Sequence, residues 1–181
     1  MAVAWHNLGS ALRDLGERPA ATDAFRRAVA IYEQTVGRNH PSTAGSLLRL
    51  AAVLEDGGGA GEAATLYRES AAVFAGTVGE RHPRTGEAQL YLARLLARRG
   101  SFAEALELAE SAQEILTESR GAEHWQTAAA GAVRAACLIS LGDATGGSEL
   151  LDAHLAVLEN ERDPQADGFR ETAIALSDAS P

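Results

Sequence analysis

Three regularly spaced histidines are the first residues in the sequence that could perform chemistry. His40, His82 and His124 each stand three residues after a glycine, and subtracting successive positions gives 42 both times. Histidine is the commonest metal ligand, so a metal centre is one interpretation. One histidine per repeated unit would place neighbouring rings on the order of 10 Å apart, the width of a packed helix. Ligands of one zinc ion lie about 2 Å from it, so the spacing predicts a structural joint and no metal site.

The other histidines and the single cysteine form no catalytic constellation. His6 and His154 are isolated in the sequence. Cys137 could act as a thiol nucleophile, but its equivalents in the earlier units are all apolar. Those equivalents are Leu95, Val53 and Ala11. We therefore predict a buried structural cysteine, with no catalytic residues and no cofactor site.

Two further stretches allow both a functional and a structural interpretation. The glycine-rich residues 57–61 could suggest a phosphate loop, but such loops follow a strand and lead into a helix with a Lys-Ser/Thr pair or a downstream acid. A turn between two helices explains them better. The second stretch carries five glutamates on one predicted helix. A solvated outer face is the simpler interpretation, and an interface for a basic partner is the alternative. The glutamates are Glu104, Glu107, Glu110, Glu114 and Glu118.

Paired helices are predicted to position all of these residues. Ala, Leu, Glu and Arg are abundant, and they are strong helix formers. Apolar residues recur with helical spacing, with Gly or Pro at the predicted ends. Ser101 and Glu104 have the spacing of a capping box. The terminal helix should bury Phe169, Ala173, Ile174 and Leu176. The predicted helices are 2–15, 19–36, 41–56, 62–78, 83–99, 101–120, 125–141 and 144–161, then a lone helix at 165–177.

The regular histidines belong to a longer repeated motif. Gly-x-x-His-Pro-x-Thr occurs at residues 37–43 and 79–85, and residues 121–127 repeat it with Trp125 in place of proline. Self-similarity at such a period is typical of a solenoid of stacked units. The predicted units are 1–36, 41–78, 83–120 and 125–161, in one domain over residues 1–181.

Two patterns in the first unit resemble the tetratricopeptide repeat (TPR). They are Trp5-x2-Leu8-Gly9-x2-Leu12 and Ala21-x3-Phe25-x2-Ala28. The 42-residue period is similar to the long variant of kinesin light chains and of many bacterial proteins. The resemblance covers residues 1–161 and departs in the fourth unit, where Gly131 stands at the Trp position and Arg134 at the Leu position. It implies an all-α, right-handed superhelical solenoid of antiparallel helix pairs, with about four units and a C-terminal capping helix.

The resemblance also implies a binding face. In this family the first helices of the pairs line a concave groove that takes a peptide or protein. Arg49, Arg94 and Arg98 could hold a carboxylate or phosphate there, or could be solvated or paired with neighbouring acids. The predicted groove residues are His6, Asn7, Ser10, Arg13, Leu48, Arg49, Ala52, Tyr91, Arg94, Arg98, Ala132, Val133 and Ala136.

Two known ligand preferences of the family do not carry over. Chaperone-binding relatives use Lys and Asn on these helices, whereas this chain has no Lys. Kinesin light chains repeat an Asn at the position of Asn7, which here becomes Arg49, Tyr91 and Val133. We therefore expect neither chaperone C-termini nor that family's cargo.

Both ends of the array carry apolar surface that another segment is expected to cover. The groove stripe of the fourth unit is almost wholly apolar, so residues 165–177 or a partner segment should cover it. The first helix is apolar outside its groove stripe, whereas a terminal repeat needs a polar outer face. Its outer face is therefore expected to contact upstream repeats or a second copy in a homodimer.

Composition limits the partners and the compartment. The net charge of −9 disfavours nucleic acid and anionic membranes. The absence of Lys and the richness in Ala and Gly are typical of a high-GC bacterial genome. A single cysteine favours a reducing compartment, and neither a signal peptide nor an apolar stretch of about 20 residues is present. These features predict a cytoplasmic protein.

The resulting prediction of function is a non-enzymatic scaffold that binds a protein or peptide, as part of a larger bacterial signalling or regulatory protein. One alternative is a sensor domain for a small molecule or signalling peptide. A further alternative is an accessory domain of an enzyme whose catalytic part lies elsewhere.

Overall fold

A computed structural model describes residues 1–179, and within that range the regular elements are nine α-helices. The all-α fold class is therefore confirmed, and each helix boundary lies within two residues of its predicted position. The helices are α1 Ala2–Asp14, α2 Arg18–Thr35, α3 Pro41–Asp56, α4 Ala60–Val78, α5 Pro83–Arg98, α6 Phe102–Arg120, α7 Trp125–Ser140, α8 Ala144–Glu159 and α9 Pro164–Asp178.

A glycine in the left-handed region follows each of the first seven helices. Among the described residues, positive φ occurs at Gly16, Gly37, Gly58, Gly79, Gly100, Gly121 and Gly142, and neighbouring positions differ by 21. An L side chain is strained at such φ values, whereas glycine is not. The 42-residue repeat therefore contains two similar helix ends, one inside each pair and one between pairs.

The N-terminal compact unit comprises residues Met1–Glu80, with helices α1 to α4. Each helix packs on the next one in the chain. The centre of the α2–α3 interface is a buried cluster of Ala21, Phe25, Leu50 and Val53. Gly9 allows α1 to approach this cluster closely, because a Cβ at that position would lie 2.9 Å from the Phe25 ring.

The C-terminal compact unit comprises residues Arg81–Pro181. In it α5 packs on α6, α6 on α7 and α7 on α8. The glycines that weaken the repeat pattern in the fourth pair serve close packing. A Cβ at Gly131 would lie 2.1 Å from His154 Nε2, and one at Gly147 would lie 2.5 Å from the Ile139 side chain. Glycine at these two positions of the repeat therefore allows α7 and α8 to pack closely. The division into two units leaves the single-domain prediction untested.

Helix α9 departs from the regular stacking of the C-terminal unit. It packs mainly on α7, with smaller contacts to α8 and α5. The linker into α7 begins with Gly121 at φ 90°, whereas the linker into α9 begins with Asn160 at φ −90°. The chain therefore enters α9 without the left-handed residue that follows each earlier helix, and α9 packs mainly on α7.

Two details of the sequence prediction are wrong. Ile174 was expected to be buried, but it is 38% exposed, while Ala166 takes a buried position instead. The α9 face that packs inward is therefore rotated from the predicted one. Ser101 caps α6 by position, yet its side chain makes no capping hydrogen bond. The Ser101 half of the predicted capping box is therefore not formed at this helix start.

Candidate partner-binding site

The repeated histidines cap the first helices. The Nδ1 atoms of His40, His82 and His124 each accept a hydrogen bond from the backbone N–H two residues later, at 3.1 Å in every case. The following threonine closes the joint, because Thr43 Oγ1 donates to the Gly37 carbonyl at 2.7 Å and Thr127 Oγ1 to that of Gly121 at 2.9 Å. A capping side chain satisfies a backbone donor that the helix itself leaves free. The motif is therefore a structural joint, as predicted.

The lowered pKa of His124 favours the neutral ring that this capping role requires. Burial lowers the pKa of His124, and the nearby Arg120 lowers it further, against the opposite effect of Glu161 and Asp163. A neutral ring leaves Nδ1 free to accept the N–H of Gln126. The joint is consequently strongest when the imidazole is uncharged.

Cys137 is fully buried in α7. Burial raises the pKa of its thiol to about 12. The thiolate is the reactive form of cysteine, so this side chain stays protonated near neutral pH and serves as core packing. No three His, Cys, Asp or Glu side chains within residues 1–179 lie close enough together to hold a metal ion.

The predicted groove residues of the N-terminal unit differ widely in exposure. Asn7 is exposed, while Leu48 and Ala52 are buried and Arg49 is half-buried. The other three are partly engaged within the unit. His6 Nδ1 lies 2.9 Å from Ser46 Oγ, Ser10 Oγ donates to the backbone of its own helix, and Arg13 pairs with Asp14 at 3.0 Å. Asn7 is thus the most accessible predicted contact on this unit.

In the C-terminal unit the predicted groove residues lie beneath other side chains. Tyr91 and Arg94 on α5 are nearly buried, and Ala132, Val133 and Ala136 on α7 are fully buried. Arg98 is exposed at the end of α5. Since α9 packs along α7 and touches α5, the chain's own terminal helix covers this stripe. A partner reaches it only when α9 leaves.

The contact between α9 and α5 centres on Phe169. Its ring meets the Tyr91 ring edge-on, with centroids 5.3 Å apart, and the Arg94 guanidinium lies 4.4 Å from its centroid. The Tyr91 hydroxyl donates a hydrogen bond to Gln165 Oε1. Edge-on aromatic pairs and a cation over a ring are both attractive beyond simple area burial. Tyr91 and Arg94, which were predicted to meet a partner, thus form a receptor for an aromatic side chain.

Two residues of this site escaped the sequence analysis. Trp125 contacts Phe169 with ring centroids 6.3 Å apart, and it stacks on His124. The available signal was the replacement of proline by Trp125 in the third copy of the joint motif. Phe169 was predicted as a buried residue of the segment expected to cover the fourth groove stripe, but nothing in the sequence indicated its contacts with α5.

A separate acidic cleft of about 720 Å³ lies along α6. Glutamates of α6 line it together with Arg134. The Arg134 guanidinium contacts Glu110 Oε1 at 3.1 Å and Gln113 Oε1 at 3.4 Å. Gln113 also lies 3.1 Å from His154 Nε2. Burial and the positive charge of Arg134 lower the pKa of His154. The departure of Arg134 from the repeat pattern therefore supports contacts among α6, α7 and α8.

Comparison with known families assigns the class that the helix pairs define. The family model described as tetratricopeptide repeat matches residues 1–75 and, in a second placement, 44–118. The chain therefore belongs to the tetratricopeptide repeat family, as its first-unit motifs indicated. Proteins of this family are commonly scaffolds for protein–protein interaction and are generally non-catalytic.

Similar solved structures specify the variant of the repeat. Nearly identical TPR-like repeats named for a kinesin light chain of Podosopora anserina are 27% identical, with a TM-score of 0.73 over 97% of this chain and 90% of that chain. A single-substitution variant of those repeats is 26% identical, with a TM-score of 0.74 and the same coverage. The predicted likeness to kinesin light chains is thereby confirmed.

A third solved structure shows the fold alone. BtubC (BKLC) from P. vanneervenii is 18% identical, with a TM-score of 0.71 over 96% of this chain and 75% of that one. Comparison with curated proteins gives no match. None of the described helices is long and apolar enough to cross a bilayer.

Proposed function

We propose that this chain is a non-enzymatic scaffold that binds a peptide or protein segment on the faces of its first helices. The observation that supports this most strongly is the position of α9. A helical segment lies on α5 and α7 and is held by Phe169, Tyr91 and Arg94 through aromatic and cation contacts. That face therefore has the chemistry and the space to bind a helix.

The reactive side chains of the molecule support a binding role. His40, His82 and His124 use their Nδ1 atoms to cap helices. Cys137 is buried and protonated. These groups stabilise the scaffold, and binding energy would come from the polar and aromatic residues of the first-helix faces.

The N-terminal unit would contribute a more polar contact. Asn7 is exposed and Arg13 and Ser10 are partly accessible, so that face offers amide, hydroxyl and guanidinium donors. A partner with carboxylate or backbone carbonyl groups fits these donors. The cytoplasmic location and the role within a larger bacterial signalling protein belong to the same proposal. They rest on composition and on the resemblance.

The outer face of α1 favours a second contact. Leu8 is 45% exposed and Leu15 is 76% exposed. One period later, the equivalent of Leu8 is Leu50, which is buried against Ala21 and Phe25 of the preceding helix. The α1 face therefore has the pattern of a stacking surface, and we propose that a further helix covers it, from upstream repeats or from a second copy. Loss of self-association in a Leu8→Glu variant, measured by sedimentation, would support the second copy; a monomer at all concentrations contradicts it.

Selection from a displayed peptide library tests the principal proposal. The affinity of peptides that bind the full chain is then measured for two variants on first helices, Asn7→Glu and Arg98→Glu. Two variants on second helices, Gln34→Glu and Arg120→Glu, are the matched controls. We expect about tenfold or greater weakening in at least one first-helix variant, since one lost contact of 1.4 kcal/mol is tenfold in affinity. The controls should bind normally. Equal binding to all four variants, or weakening only in the controls, contradicts the proposal.

A further inference from the structure

We infer that α9 is an exchangeable occupant of the α5–α7 face, and that the partner taken up in its place is an amphipathic helix with a central aromatic residue. This inference rests on the proposed function and specifies both the partner class and its regulation. It requires that α9 be held by a local set of contacts, that the receptor residues recognise a general pattern, and that α9 be able to leave without disrupting the unit.

The contacts that hold α9 are concentrated on one face. Its buried residues are Ala166, Phe169 and Ala173, which are three and four residues apart and so share one helix face. Phe169 is the single large side chain among them. On the other side, Glu171 and Asp167 are exposed. The helix therefore has the form of an amphipathic ligand laid on a groove, which is a known mode of peptide recognition.

The receptor recognises a ring and a hydrogen-bond acceptor at a fixed distance along a helix. Tyr91, Arg94 and Trp125 surround the Phe169 ring. Four residues earlier, Gln165 accepts a hydrogen bond from the Tyr91 hydroxyl. Positions four apart lie on one face of a helix. A partner helix with an acceptor, then an aromatic residue four positions later, with small residues at the flanking inward positions, can reproduce every one of these contacts.

The attachment of α9 permits local release. Asp163 and Gln165 form the helix start, where Asp163 Oδ1 accepts the Gln165 N–H at 2.9 Å. The linker lacks the left-handed glycine that precedes α7. By contrast, α5 to α8 pack on one another in chain order and share a continuous buried interior. The four helices therefore retain their mutual contacts when α9 moves away.

Tethering sets how a partner competes. A segment joined by a short linker has an effective concentration in the millimolar range. A free helix with the same contacts therefore competes poorly with intact α9 and binds well once α9 is weakened. The structure thus assigns α9 the role of an internal competitor, which a partner with additional contacts displaces.

A labelled peptide of residues 163–179 tests this exchange on the full-length chain. Its affinity is measured by fluorescence anisotropy for the wild-type chain, for Phe169→Ala, and for Glu171→Pro, which breaks α9 from its exposed side. Glu171→Ala is the matched control, and the same peptide with alanine in place of its phenylalanine is the control ligand. We expect the peptide to bind Phe169→Ala and Glu171→Pro at least tenfold more tightly than the wild type and Glu171→Ala. The control ligand should bind none of the four chains.

Three results overturn the exchange. They are equal binding of the peptide to all four chains, no binding to any of them, and loss of more helical circular dichroism in both α9 variants than α9 itself contributes. The last result would show that α9 is an integral part of the core. If the exchange fails while library-selected peptides still lose affinity on first-helix variants, the scaffold function stands and only its regulation by α9 is wrong.

Discussion

The Arg94 guanidinium lies 4.4 Å from the centre of the Phe169 ring, so a cation on α5 covers an aromatic ring on α9. The sequence predicts for this arginine a carboxylate or phosphate ligand, solvation, or pairing with a neighbouring acid, and the structure places it beside the aromatic rings of Phe169 and Tyr91. A carboxylate or phosphate would bind the N–H donors at the edge of the guanidinium, whereas an aromatic ring lies over its face. The contact connects the predicted groove stripe to the terminal helix.

Replacement of Phe169 by alanine should release α9 selectively. The ring is fully buried, and a Phe→Ala change in a core commonly costs about 3–5 kcal/mol. Here the cost should be smaller, since it cannot exceed the free energy that docks α9. Hydrogen exchange should show loss of protection in α9 with α5 to α8 still protected. Ile174→Ala is the control, because Ile174 is partly exposed and its truncation should leave α9 protected. Uniform loss of protection across the unit would contradict local docking.

The close approach of Gly131 and His154 predicts a change of sign between two backgrounds. In the native chain, Gly131→Ala places a Cβ 2.1 Å from His154 Nε2. It should destabilise by on the order of 1–3 kcal/mol, as overpacking does. In a His154→Ala background the same change should stabilise by up to about 1 kcal/mol, since alanine is the better helix former. Chemical denaturation of the four chains measures both values. Equal effects in the two backgrounds would exclude this steric coupling.

The thiol of Cys137 should react only through unfolding. It is buried, with a pKa raised to about 12, and the nucleophile is the thiolate. Modification by a disulfide reagent at pH 8 should be slow in the native chain and rapid in denaturant. Its native rate should follow the opening of α7, measured by hydrogen exchange. Immediate stoichiometric labelling of the folded chain would be incompatible with a buried, protonated thiol.

The capping role of His124 predicts lower stability in acid. Its pKa is lowered in the folded chain, so the unfolded chain binds more protons in the window between the folded pKa and the ordinary value of 6.5. Stability from this group is complete above pH 6.5 and is lost as the pH falls towards the folded pKa. The pKa of His154 is lowered as well, which acts in the same direction.

An asparagine at position 124 keeps a capping acceptor without a titrating ring. The free energy of unfolding of His124→Asn should therefore fall less between pH 7.5 and pH 5 than that of the native chain, when both are measured by chemical denaturation. Identical slopes for the two chains would show that the His124 ring contributes nothing to the pH dependence.

The helices and the joints could be predicted because local chemistry determines them. Gly37 and Gly121 adopt left-handed conformations that few other residues tolerate, and His40 caps with its own side chain. Such features are written in a few neighbouring residues. The apolar spacing then identifies which side of each helix faces inward, as for Leu50 and Val53.

The apolar stripe of α7 indicated that residues 165–177 or a partner segment would cover it, and α9 does so. The contact between α9 and α5 could not be predicted, because it depends on residues that are distant in the sequence. Phe169 is an apolar residue at helical spacing in the sequence, and its pairing with Tyr91 and Arg94 involves residues more than 70 positions away. Likewise, Gly131 departs from the repeat pattern because the His154 side chain occupies the space that a Cβ would need. In both cases the local sequence indicated a helix but did not specify which distant residue would pack against it.

A hydrogen-exchange footprint of a library-selected peptide on the full chain would locate the binding face. We expect new protection on the first helices α1, α3, α5 or α7, with α2, α4, α6 and α8 unchanged. A footprint centred on those second helices, with the first helices unaffected, would contradict the assignment of the binding face.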